Sequence, residues 1–146
     1  MDAVSEIITK TQQETERAAQ TLATSMSDIK VITLNGDLGA GKTVFARALI
    51  RALTGNPELE VPSPTFTIVQ NYDSASGAIA HFDCYRLENP DEIYEIGWED
   101  ALSDGLVIIE WAERISALLL TRRLDITLAP VQNEAEHRLI KITHIG

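Results

Sequence analysis

The segment Gly36-Asp37-Leu38-Gly39-Ala40-Gly41-Lys42-Thr43 satisfies the spacing G-x-x-x-x-G-K-[ST]. Glycines at these positions let the backbone curl, so that successive N–H groups point inward at an anion. A helix starting at the lysine would aim its positive end at the same anion. Lys42 would neutralise the outer phosphates of a nucleoside triphosphate, and the Thr43 hydroxyl would ligate Mg²⁺. The expected nucleotide contacts are therefore Asp37, Leu38, Gly39, Ala40, Gly41, Lys42 and Thr43. A plain glycine-rich turn is the competing reading. The strand-like run before the segment and the helical spacing after it weigh against that reading.

A phosphate loop alone leaves Mg²⁺ short of ligands and the attacking group unplaced. Parallel α/β sheets gather such groups at the carboxyl ends of their strands. Two acids stand at strand ends. Glu110 closes the apolar run Leu106-Val107-Ile108-Ile109, and Asp83 lies within His81-Phe82-Asp83-Cys84-Tyr85-Arg86. Asp83 reads equally as a salt-bridge partner of Arg86 and as a Mg²⁺ ligand. If both acids converge on the loop, one can hold the ion while the other orients or deprotonates water. Trp111 could stack beside the nucleotide or simply pack in the core. Ser63 and Thr65 sit in a Pro-punctuated loop, where Thr65 could sense the terminal phosphate. His81 reads as a packed or hydrogen-bonding side chain, and Cys84 as buried and inert.

These groups need a frame. Val4–Thr9 reads as an edge strand, and Thr11-Gln12-Gln13-Glu14 has the form of a capping box. Ala18, Ala19, Leu22, Ala23 and Met26 recur at helical spacing. Ile29–Leu34 reads as a buried strand. A helix from Lys42 presents Phe45, Ala48, Leu49 and Ala52 on one side, and Gly55 and Pro57 close it. Phe66–Tyr72 and Ala78–Tyr85 form an expected hairpin around the spacer 73–77. Asn89-Pro90 opens a helix across Asp91–Leu102. Leu106–Glu110 is a buried strand, Arg114–Leu120 a short helix, and Leu124–Leu128 and Arg138–Thr143 two strands around the loop Ala129–Glu136. The sum is one α/β domain spanning residues 1–146, with a mixed, mainly parallel sheet, an antiparallel extension and helices on both faces.

Composition narrows the function classes. The 146 residues carry a formal net charge of −10, with few and scattered basic side chains. Nucleic-acid binders draw much of their affinity from basic surfaces, so strong direct binding to RNA or DNA is not expected. A single cysteine excludes an internal disulfide. The N-terminal residues lack a secretory pattern and the longest apolar runs are too short to span a bilayer. A cytoplasmic setting fits. No Asn-Lys-x-Asp segment is present to read guanine, which disfavours a GTPase. A small-molecule kinase would need an acceptor pocket and an arginine-bearing lid, for which Arg122-Arg123 gives the one hint. A purely structural nucleotide-binding subunit would have no use for Glu110.

The series GDLGAGKT, SPTFTIVQNY, HFDCYRL and VIIEW, in that order within so short a chain, resembles the TsaE family, formerly YjeE. Ala112 follows Trp111 where many members carry proline, a departure confined to a local turn. The resemblance implies a P-loop protein that binds ATP and ADP with Mg²⁺ and hydrolyses ATP weakly. It implies a role in making threonylcarbamoyladenosine in tRNA, with TsaD and TsaB as partners and tRNA engaged through them. The transferase chemistry would belong to the partners, with hydrolysis here resetting the complex. Carried over by position, Lys42 binds phosphate, Thr43 and Asp83 attend Mg²⁺, Glu110 supports hydrolysis and also stands near the ion, and Trp111 lies beside the nucleotide. Ser63 and Thr65 fall in the family's switch-like loop.

Overall fold

A β-branched run in which Thr33 is the one polar residue from Val31 to Leu34 must be covered on both sides, and this run ahead of the glycine loop becomes the centre of a sheet. In the computed structural model, which describes residues 3–26, 28–37, 39–65, 67–119 and 122–146, that run is strand β2, Val31–Asn35. The other strands are β1 (Ala3–Thr9), β3 (Val69–Ser74), β4 (Gly77–Asp83), β5 (Gly105–Glu110), β6 (Arg123–Val131) and β7 (Glu134–Ile145). They lie in the order β1-β7-β6-β2-β5-β4-β3. The central strands β6, β2, β5 and β4 are parallel. Antiparallel neighbours extend the sheet at both edges. The mixed, mainly parallel sheet expected from the sequence is the one observed.

Alternation along the strands sends side chains to two cores. Ile32, Leu34 and Ile108 face helices α1 (Gln12–Ala23) and α2 (Lys42–Thr54), where they meet Ala19, Leu22, Phe45 and Leu49. Val31, Val107, Ile109 and Phe82 face the opposite layer, built from α3 (Glu92–Glu95), α4 (Trp98–Asp104) and a 3₁₀ helix at Ala112–Leu118. Trp98 anchors this second core, its ring set edge-on to Phe82 at 5.7 Å. The result is three layers with helices on both faces.

Local chemistry sets the ends of the first two helices. The Thr11 hydroxyl accepts the Glu14 N–H at 3.1 Å, as the capping box predicts. The Glu14 carboxylate reaches the N–H of Lys10, one residue earlier than the motif places it. Gly55, at φ 70°, closes α2 in a left-handed conformation that costs glycine nothing. The buried stripe of α2 takes in Ala46 and Ile50, whereas Ala52 is exposed. The helix is gripped by α1 on one side and the sheet on another, so its covered face is wider than a single apolar row.

Four sequence expectations shift. Strand β3 starts at Val69, because the preceding residues turn back through Ile68 N–H to Pro64 C=O; Phe66, the expected first residue, lies outside the described residues. The helix expected over 91–102 is two short helices broken at Gly97, which sits at φ 93°. That break lets Ile93 and Trp98 both enter the core. The helix expected over 114–120 is the 3₁₀ turn Ala112–Leu118, and Leu120 falls outside the described residues. The loop expected over 129–136 is a hairpin, with Val131 paired to Glu134 and Asn133 at φ 66°. Pro130 is tolerated in that strand because it lies beside a bulge and beyond the reach of β2.

Gly105 is where β5 presses against β4. A Cβ placed there would lie 2.0 Å from the Ala78 carbonyl oxygen, a contact with rigid backbone. Gly105→Ala is expected to destabilise the fold by about 2 kcal/mol. A urea unfolding midpoint equal to that of the parent would contradict this close approach.

Candidate functional site

The loop leaves the sheet at Asn35. Its amide donates to Thr33 Oγ1 at 2.9 Å and to the Ile126 carbonyl at 3.2 Å, tying the exit of β2 to β6. Gly36 follows at φ 142°, and a Cβ there would lie 2.3 Å from the Leu128 carbonyl oxygen. Both facts require glycine at the first motif position. Gly41, at φ 103°, precedes Lys42, the first residue of α2. Leu38 lies outside the described residues. Lys42 is only 7% exposed, and its Nζ stands 4.2 Å from the centre of the Trp111 ring. A buried ammonium group needs a partner, and the face of the indole supplies one.

Register then places the acids. Leu34 pairs with Glu110, and Glu110 with Asp83, so the three form one row across β2, β5 and β4. Leu34 belongs to the core beneath α1 and α2. In a parallel ladder register partners share a face, so both carboxylates point to the side that carries α2. The loop, the N-terminus of α2 and the two acids thus occupy the same end of the sheet. Both acids are buried.

Each acid has its own holder. Asp83 Oδ1 accepts the Tyr85 N–H at 2.9 Å, and Oδ2 accepts the Thr65 hydroxyl at 3.2 Å. Ser63 Oγ lies 2.8 Å from Thr65 Oγ1, so both switch-loop candidates reach Asp83 through a short chain of hydroxyls. The same loop is clipped by backbone, with the Asp83 N–H donating to the Ile68 carbonyl at 2.7 Å. Ile68 is at φ 71°, a conformation that costs a β-branched residue about 1–3 kcal/mol. Glu110 is held from another side, with His81 Nε2 at 2.7 Å from its Oε2.

Trp111 sits at φ 58°, and this left-handed turn swings its ring back over Lys42. Tyr85 lies against it with ring centres 4.8 Å apart, and the Arg114 guanidinium stands 5.5 Å from the Tyr85 ring centre. Trp111 is therefore half-buried beside the loop lysine rather than sunk in the core. Cys84 is buried, and burial foremost, with the charges of Asp83 and Glu113, pushes its thiol up to about 12. It stays protonated and offers no nucleophile.

Sequence reasoning missed Arg138. From β7 its guanidinium donates to the Gly39 carbonyl at 3.3 Å and so touches the loop backbone. Arg138 also lines a cleft of about 130 Å³ with Gln12, Thr15, Gly41, Val44 and Ala135. A lone arginine at a strand start gives no sequence signal of this, because only the hairpin fold-back brings it to the loop. Arg122 and Arg123, by contrast, lie far from the site. They precede the β6 residue Leu124, which pairs with Ile32 near the opposite end of β2. Arg123 is bound to Asp125 at 2.9 Å. The hint of an arginine lid has no structural counterpart there.

The donors around the loop suit a hard cation. Mg²⁺ takes oxygen ligands and usually one or two carboxylates, completed by waters and substrate phosphates. The Thr43 hydroxyl and the carboxylates of Asp83 and Glu110 are of that kind. Among the described residues no cluster of three or more His, Cys, Asp or Glu could hold a metal unaided. A cation here would be completed by a bound phosphate.

A family profile described as threonylcarbamoyl adenosine biosynthesis protein TsaE matches residues 9–140. The chain belongs to the TsaE family. It is 42% identical over 122 residues to a Rickettsia conorii protein named tRNA threonylcarbamoyladenosine biosynthesis protein TsaE, covering 84% of this chain and 69% of that one. It is 39% identical to the protein of that name from Rickettsia bellii, over 96% of this chain and 95% of the other. The Bacillus subtilis protein of the same name is 35% identical, over 92% and 82%. The fold is similar to the crystal structure of Bacillus subtilis YdiB, with a TM-score of 0.76 at 29% identity, covering 100% of this chain and 88% of that one. TsaE membership assigns the chain to tRNA threonylcarbamoyladenosine biosynthesis. The TsaE match spans the loop, both acids and Arg138. Among the described residues no helix is long and apolar enough to cross a membrane.

Proposed function

We propose that the chain binds ATP with Mg²⁺, hydrolyses it weakly, and uses the cycle to drive or reset a TsaD–TsaB transferase complex. The observation that carries this is the single row of Leu34, Glu110 and Asp83 at the mouth of the glycine loop. A structural anion site would need the loop alone. Two buried acids beside it supply the means of turnover. The phosphates would lie in the loop, with Lys42 turning from the Trp111 face to the outer phosphates. The Thr43 hydroxyl and Asp83 would hold the ion, which supplies charge neutralisation on the phosphates. Glu110, held by His81, would orient the attacking water or accept its proton, standing close to the ion as it does so. Arg138 and the cleft beside Gly41 would receive the nucleoside end.

In this reading the threonylcarbamoyl transfer belongs to the partners, and the tRNA is engaged through them in the cytoplasm. Sedimentation of the purified chain with the TsaD–TsaB pair tests the assembly. A complex is expected with ATP and Mg²⁺ and not with the Lys42→Ala variant. Failure to associate under any nucleotide condition would remove the switch role.

A further inference from the structure

We infer that His81 is the positioning residue of Glu110, fixing which carboxylate oxygen is free to act on the attacking water. The inference rests on the proposed hydrolytic role of Glu110. His81 sits on β4 two residues before Asp83 and is 1% exposed. It shares its sheet face with Ile79, which belongs to the apolar core under α1 and α2. Its Nε2 lies 2.7 Å from Glu110 Oε2. Its other nitrogen, Nδ1, is buried with no hydrogen-bond partner among the described residues.

That asymmetry is informative. A buried ring with one orphaned nitrogen is a poor choice for packing alone, because an apolar side chain of similar size would avoid an unmet polar group. Among the described residues the ring's one polar contact is to the acid. An ionised carboxylate can only accept, so Nε2 is the donor in this contact. Glutamate has three rotatable bonds, and at a strand end it would otherwise sample several of their settings. With Oε2 engaged by His81, Oε1 is the oxygen left to act on the water. Asp83 beside it is held by different groups, the Thr65 hydroxyl and the Tyr85 N–H. The two neighbouring carboxylates are therefore oriented independently, as separate duties require.

The test uses the full chain, with single-turnover ATP hydrolysis and Mg·ATP affinity measured in parallel. His81→Asn, whose amide reaches only the place of Nδ1, and His81→Leu are expected to slow hydrolysis by about 10- to 100-fold. Affinity should stay within about threefold, since no binding group is lost. His81→Gln, whose amide can reach the place of Nε2, should recover most of the rate. Adding His81→Leu to Glu110→Gln should slow the reaction no further, because the two act as one unit. If His81→Leu does not fold, the contrast between His81→Asn and His81→Gln decides. Parent-like hydrolysis in His81→Asn, while Glu110→Gln is impaired, would overturn the positioning role and leave His81 as packing. Parent-like hydrolysis in Glu110→Gln would instead remove the hydrolytic reading itself.

Discussion

Lys42→Ala is expected to weaken Mg·ATP binding by about 10- to 150-fold, the range for losing a hydrogen-bonded charge contact. The lysine is the first residue of α2 and is almost fully buried. Its ammonium stands 4.2 Å from the centre of the Trp111 ring. Exchanging that partner for phosphate is favourable because a charge-assisted hydrogen bond in a dry site outweighs a cation–π contact. The fold should tolerate the change, since the alanine uncovers only one face of the half-buried indole. Trp111 provides the readout: titration with Mg·ATP should alter its fluorescence in the parent, with the midpoint displaced in the variant. Equal midpoints would mean that the loop lysine does not touch the ligand.

Glu110→Gln is expected to produce the opposite pattern, with hydrolysis slowed by about 10²- to 10³-fold and affinity little changed. Glutamine keeps the shape and can still meet His81, but it can neither accept a proton nor orient water as strongly. The position argues for this division of labour. One oxygen of Glu110 is committed to His81 at 2.7 Å, whereas Asp83 keeps Oδ1 on the Tyr85 N–H and holds Oδ2 only by the Thr65 hydroxyl at 3.2 Å. Oδ2 of Asp83 is thus the oxygen more readily released to an ion. Loss of affinity together with rate, repaired by raised Mg²⁺, would instead make Glu110 chiefly an ion ligand.

The sheet and the loop were legible because each rests on a local pattern. Leu106–Ile109 is apolar on both faces and Val31–Leu34 is interrupted only by Thr33, a pattern that suits a central strand, and the motif spacing dictates its own backbone. Where chain geometry at one residue decided the outcome, the pattern misled. Gly97 splits a helix that apolar spacing would continue. Asn133 closes a two-residue turn where the sequence reading places a loop over 129–136. The acids could be named at their strand ends, but their partners could not. His81 meets Glu110 across β4 and β5, 29 positions apart. Arg138 meets Gly39 only after β7 folds back, 99 positions away. Such contacts are products of register, which a motif does not encode.

The central claim is a partner-coupled ATPase, and the most direct test is ATP hydrolysis by the purified chain with Mg²⁺, alone and with the TsaD–TsaB pair. The account predicts slow turnover alone, faster turnover with the pair, and none above background in Lys42→Ala. Turnover that ignores the pair, or that persists without Lys42, would contradict it.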